Sequence, residues 1–364
     1  MTALLAIYKI ALLGLVLALA RLRPDAFSLG GYLGNFRWPP AKMPGPAEWF
    51  TTWDGEQYFY LAERGYEAGS PAAGLFPLWP MLIRATSMLV GGHSFFAALV
   101  SANLLSLAAW VLLYRLVAED HGGPTANRTL LALLAFPGSL FFQFPYSESL
   151  FLFLVTVLFS GLRRSRLLPV GLAALLLPLT RAVGVLCVLP LLWWTWQRRG
   201  AWLVCVAPIL GFAAYLGFMH AATGNAFEGF AAQLLYVHQA SVARVLDLAG
   251  FVRSFFTVAW GHGPIHSPLD RAFFVLFAVS LPMTWKMDRV WFFYALGIGL
   301  VPAMVTGFAS YTRFLAVCFP VFAAVAETSR HRRAPTTVFA VSIGVLWLVQ
   351  LGLLLRHVTF RWAG

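Results

Sequence analysis

The chain has 364 residues, of which 60% are hydrophobic and only 11% charged, against roughly 25% charged in an average soluble domain. That balance excludes a soluble enzyme and predicts an all-α polytopic membrane protein, with a single integral-membrane domain over 1–364, because no polar block approaches the ~100 residues of a separate soluble domain. The formal net charge of +12 sits in short turns between apolar runs rather than on a basic surface with exposed aromatics, so nucleic acid is not an expected partner.

The opening run LLAIYKIALLGLVLALA has no A-x-A cleavage site behind it and predicts a retained first span over 4–22. Spans of about 20 apolar residues are predicted over 94–118, 201–220, 290–308, 312–328 and 335–356, with a shorter one over 271–285. Between 129 and 196 lie four shorter apolar pieces, broken by FPYSES, RRSR and LTRAVG. At 1.5 Å per residue each covers only roughly 20–24 Å, which carries the polar breaks below the membrane surface, where they need protein or a water-filled cavity beside them. The basic turns RRSR (163–166), QRR (197–199), KMDR (286–289) and SRHRR (329–333) are assigned to the cytoplasm.

This assignment gives about 11 transmembrane helices, an inside N-terminus and an outside C-terminus. It leaves five segments facing one extracytoplasmic compartment: a large first loop with juxtamembrane helices (23–93), the FPYSES and TRAVG breaks, a second large loop (221–270) and the SYTR turn (310–313). Whether 76–92 crosses the membrane or lies along it is left open. Trp193, Trp194, Trp196, Trp285 and Trp291 flank basic turns and fit an interfacial aromatic belt. Cys187, Cys205 and Cys318 lie in apolar runs without a neighbouring His and read as core residues. The sequence has no internal repeat, no G-x-G-x-x-G loop and no D-x-D pair, so nucleotide-dependent chemistry has no seat.

Six short constellations interrupt the apolar runs. In TTWDGEQYFYLAERGY (51–66), Thr51 can cap a surface helix with Asp54 completing a capping box. Alternatively, Asp54 is a carboxylate at a water–lipid boundary, placed to accept a proton from an incoming hydroxyl. FPLWP (76–80) is an aromatic turn bracketed by prolines. In FPYSESLF, Ser147 and Glu148 suit a helix start, although a carboxylate at membrane depth is costly unless it is paired or functional. Arg181 in LTRAVG and Arg313 in SYTRF either snorkel to the surface or converge on an anionic group. His262 and His266 in WGHGPIHSP lack a third ligand nearby, and no metal site is assigned.

Taken together, WDGEQYFYLAERGY, FPLWP, FPYSESLF, LTRAVG and YTRFLAVCFPVF resemble, in order, the motifs of the second mannosyltransferase of GPI-anchor assembly (PIG-V-like) and its bacterial relatives. The resemblance runs from about residue 1 to 330, with Gln57 where the eukaryotic motif has His and Trp79 where Tyr is common. It implies the fold of the GT-C glycosyltransferases and a mannosyltransferase-like activity using a polyprenyl-phosphate sugar donor at the outer face of a bacterial cytoplasmic membrane. It makes Asp54 the catalytic base, with Trp53, Glu56 and Tyr58 beside it. Glu148, Arg181, Arg313 and Tyr146 would line the donor phosphate site. The implied acceptor is a glycan, glycolipid or protein, membrane lipids are the remaining partners, and a divalent metal is left open. A transporter or flippase for an anionic lipid or solute is the alternative class, but the paired inverted repeats that would favour it are not seen. A scaffold without chemistry is a third.

Overall fold

A backbone surrounded by lipid must satisfy its own hydrogen bonds, which an α-helix does within one segment. The computed structural model describes residues 2–23, 26–45, 47–198, 201–331 and 336–364, and these form α-helices and 3-10 turns without a strand. In chain order the α-helices are α1 (Thr2–Leu22), α2 (Leu29–Leu33), α3 (Asp54–Arg64), α4 (Leu78–Ser87), α5 (Ser94–His121), α6 (Gly123–Ala135), α7 (Glu148–Arg163), α8 (Leu167–Thr180) and α9 (Val188–Trp196). They continue as α10 (Val206–Thr223), α11 (Glu228–Ala232), α12 (Leu248–Phe256), α13 (Pro268–Met287), α14 (Arg289–Thr306), α15 (Tyr311–Ala316), α16 (Phe319–His331) and α17 (Thr336–Val358). Among the described residues five helices are long and apolar enough to cross a membrane: α1, α5, α10 with its leading 3-10 turn, α14 and α17.

The expected breaks are breaks in the chain. α6 stops before Pro137, with Phe136 extended, as a residue preceding proline prefers, and a 3-10 turn (Pro137–Phe142) leads toward α7. α8 ends at an extended Arg181, φ −158 and ψ 143, and a 3-10 turn (Ala182–Cys187) folds back on it. Glycine is required at 184, where a Cβ would stand 2.3 Å from the Leu177 carbonyl oxygen. Residues 76–92 form α4 and the 3-10 turn Met88–Val90, which bury Trp79 and Ile83 and expose Met81, Met88 and Leu89.

Two spans differ from expectation. The segment expected over 271–285 is the 20-residue α13. Its first turn carries Asp270 and Arg271, both buried and bonded: Asp270 accepts from Thr312 N–H at 2.8 Å, and Arg271 donates to the carbonyls of Ser254, Phe255 and Ser267. The span expected over 312–328 is two helices, α15 and α16, parted at Val317–Cys318, because Pro320 lacks the N–H that a continuous helix would use there.

The basic turns gather at one end of the helices. Arg163 and Arg164 hold Glu119 at 3.0 and 2.7 Å, Arg128 reaches Ser329 at 3.1 Å, and Arg289 lies 5.0 Å over the Trp285 ring. Arg199, Arg332 and Arg333, part of the expected basic turns, lie outside the described residues. The starts of α3, α7 and α15 and the ends of α8 and α17 meet at the other end.

Between the two ends α7 packs on α5 and α8, and α8 on α10. From α1, Lys9 reaches inward, its Nζ donating to Asn103 Oδ1, the Phe142 carbonyl and Gln143 Oε1 at 3.1, 3.1 and 3.3 Å, and lying 4.3 Å over the Trp110 ring. α8 and α10 approach closely at Gly211, where a Cβ would stand 2.0 Å from the Leu175 carbonyl oxygen. Gly211→Val should force α8 and α10 apart at a cost of about 1–3 kcal/mol, read as a lower unfolding midpoint of the purified protein in detergent. Gly217→Ala, on the same helix with open space around it, should leave that midpoint unlowered.

Candidate active site

The capping box expected at Thr51 does not form. α3 begins at Asp54 itself, and Trp53 before it sits at φ 61 and ψ −123 without a side-chain cap. A bulky residue is rarely found there, and such a conformation persists only where its surroundings hold it. The surroundings are visible: Thr52 Oγ1 donates to the His357 carbonyl at 3.0 Å, the Tyr146 hydroxyl donates to the Thr52 carbonyl, and Trp53 Nε1 donates to the Arg361 carbonyl at 3.4 Å. Trp53 also meets the Trp362 ring edge-on at 5.2 Å. Thr51 Oγ1 turns instead to Glu56 at 3.3 Å. The turn therefore presents Asp54 in the first turn of α3, the positive end of the helix.

Asp54 faces Arg313. Nη1 of Arg313 lies 2.8 Å from Asp54 Oδ2, while its Nε and Nη2 lie 2.9 and 2.8 Å from Glu148 Oε1. Arg181 Nη1 approaches the same Glu148 oxygen at 2.8 Å. Neither arginine snorkels: the side chains of Arg313 and Arg181 are 10% and 13% exposed, Glu148 is sealed, and Asp54 at 23% is the open edge of the cluster. Glu148 Oε2 is buried without a partner. Aromatic faces wall the cations, with Arg313 over Phe141 and Tyr146 at 4.8 and 4.7 Å and Arg181 over Phe314 at 4.9 Å.

The structure thus brings Asp54, Glu148, Arg181, Arg313 and Tyr146 together and gives the other expected residues supporting places. Tyr58 donates to Ser147 Oγ at 3.0 Å, and Ser147 precedes α7 without capping it by its side chain. Glu56 points away from the arginine pair and takes Arg37 at 3.0 Å and the Trp38 N–H at 3.0 Å. Burial outweighs these bonds and raises the Glu56 carboxyl to about 7. From the FPLWP turn, Trp79 Nε1 donates to the Pro145 carbonyl at 3.1 Å, tying that turn to FPYSES.

Several neighbours carry no motif. Tyr236 donates to Gln57 Oε1 at 2.7 Å and to the Pro71 carbonyl at 2.9 Å, and His238 stacks on Tyr236. Burial lowers the His238 pKa while Asp54 pulls it up. His357 stacks on Phe144 at 4.2 Å with neither ring nitrogen bonded. Lys9 alone left a sequence signal, as a charge inside an apolar run. His262 binds Ser267 at 2.8 Å, and among the described residues no three of His, Cys, Asp and Glu gather where they could hold a metal ion.

No protein-family model and no curated protein matches the chain. Among solved structures it is similar to ArnT from Cupriavidus metallidurans bound to undecaprenyl phosphate, at 14% identity and a TM-score of 0.45, over 96% of this chain and 74% of that one. The apo state of ArnT from the same organism gives 18% identity and a TM-score of 0.40, over 87% and 69%.

Two outcomes are expected of this geometry. Glu148→Gln leaves two buried guanidinium groups short of a counter-charge and should cost about 3–5 kcal/mol, seen as a lower unfolding midpoint; adding Arg181→Gln should recover part of the loss. Glu56 binds its proton more tightly folded (about 7) than at the ordinary 4.5, so its contribution to stability is full below 4.5 and is lost as pH rises through 7. Wild type should therefore lose stability relative to Glu56→Gln across that window in thermal unfolding; parallel curves would refute it.

Proposed function

We propose that the chain is a membrane glycosyltransferase of the GT-C kind, mannosyltransferase-like, which moves a sugar from a polyprenyl-phosphate donor to an acceptor hydroxyl at the extracytoplasmic face. The observation that carries this reading is the meeting of Asp54, Glu148, Arg181 and Arg313, drawn from four motifs far apart in the chain, in one ion-paired cluster.

The chemistry follows from the cluster's asymmetry. Asp54, its open edge, takes the proton of the acceptor hydroxyl. The acceptor oxygen then bonds to the anomeric carbon as the carbon–oxygen bond to the phosphate breaks from the opposite face. The bonding pair leaves on a phosphate oxygen, and a single displacement of this kind inverts the anomeric configuration. Negative charge grows on the phosphate in a site walled by aromatic rings, where fixed guanidinium groups stabilise it more than water would. Arg181 and Arg313 are the groups placed to do so, with Glu148 fixing the position of both. A donor carried on a lipid suits a chain whose polar site lies among apolar helices. The reading takes 1–364 as one integral-membrane domain in a bacterial cytoplasmic membrane, with a glycolipid, cell-wall polymer or secreted protein as acceptor.

Transfer of radiolabelled sugar from polyprenyl-phosphate-mannose to membrane extracts tests the reading, with wild type and Asp54→Asn compared at matched levels of folded protein. Loss of the base should lower transfer by about 10²–10⁴-fold, and Arg181→Gln by about 10²–10³-fold. An Asp54→Asn protein that transfers at the wild-type rate would remove Asp54 as the base.

A further inference from the structure

A polar cavity lies where α1 and α17 end. It has a volume of about 430 Å3 and is lined by Arg23, Arg356 and Arg361 together with Phe27, Leu355 and Thr359. Arg356 is held rigidly, its Nε donating to the Trp362 carbonyl and its Nη2 to the His262 carbonyl, both at 2.7 Å. These two carbonyls position the guanidinium, leave Nη1 without a described partner and leave the positive charge uncompensated. Among the described residues no carboxylate pairs with Arg356 or Arg361, and these two like charges face one cavity together.

We propose that this cavity binds the phosphate group of an anionic membrane lipid. Guanidinium groups match phosphate oxygens with paired, charge-assisted hydrogen bonds, and cations at a bilayer boundary draw anionic headgroups. The position of the cavity decides for a lipid over a soluble anion. α1 and α17 touch, and the Ser28 N–H closes their ends together by donating to the Thr359 carbonyl at 2.9 Å. The apolar stretches of these two helices are the least covered of the five candidate spans, 22% and 17% buried. Leu15, Leu17 and Leu22 on α1 and Leu348 and Leu355 on α17 are exposed, apolar surface of the kind on which acyl chains lie. The inference stands apart from the transferase reading, since it uses none of the residues assigned to the chemistry.

Native mass spectrometry of the full chain, delipidated and then offered phosphatidylglycerol or phosphatidylcholine, tests it. Wild type should retain phosphatidylglycerol preferentially, and Arg361→Gln should lose about fivefold of that retention. The Arg361 side chain makes no described hydrogen bond or ion pair, so this variant does not disturb folding as Arg356→Gln can. Arg166→Gln, at the opposite end of the helices, should leave retention unchanged. Equal retention by wild type and Arg361→Gln overturns the site. An equal loss in Arg166→Gln overturns it too, because net charge would then explain the binding. Binding of inorganic phosphate by wild type with no preference between the two lipids would replace the lipid by a soluble anion and overturn the assignment.

Discussion

The Arg313 guanidinium between Asp54 and Glu148 is the contact on which the site depends. A charge taken from water is tolerated only when paired and hydrogen-bonded, and here two carboxylates and two arginines satisfy one another where none alone is stable. The requirement reaches into the fold. Arg313 stands in the first turn of α15, and the residue before it is clamped by Asp270 Oδ1, which accepts both the N–H and the Oγ1 of Thr312 at 2.8 and 2.7 Å. Gly138 lets the turn after α6 pass against the Thr312 carbonyl, where a Cβ would come within 2.1 Å. α7, α8, α13 and α15 are thereby locked to one another around the cluster, and only α3 with Asp54 approaches from the rim.

That approach is why the turn before α3 is strained. A helix capped at Thr51 would begin two residues earlier and carry Asp54 at its third position instead of its first. The chain instead places Trp53 at positive φ and holds it with Tyr146 on one side and the end of α17 on the other. The conformational cost, of order 1–3 kcal/mol, is offset by three hydrogen bonds and an edge-on ring contact.

Much of this was legible in the sequence because membrane insertion is a strict filter on composition. The long spans, the breaks at FPYSES and LTRAVG and the gathering of the motifs at one end follow from apolar length and basic turns. What failed was local rules in competition with tertiary contacts. Thr51 and Ser147 are good caps in isolation, yet Glu56 and Tyr58 take their hydroxyls. α13 begins three residues before the span expected over 271–285, and Asp270 in that added piece is buried with a partner from another element. Tyr236 and His238 had no pattern to mark them, since a loop residue reaches Gln57 only through the fold.

The pairing also divides labour between two arginines that the sequence treats alike. Arg313 spends Nε and Nη2 on Glu148 and Nη1 on Asp54, so its planar fork is committed and its displacement would free the carboxylate it orients. Arg181 touches Glu148 through a single nitrogen and is the more exposed of the two. On the proposed chemistry Arg181 is therefore the cation with donors to spare for a phosphate, and Arg313 the one that holds the base. A phosphate that also drew on Arg313 would loosen it from Asp54 and free that carboxylate for the acceptor hydroxyl as the donor arrived. Donor binding and activation of the base would then be one event, set by the competition of two anions for one guanidinium.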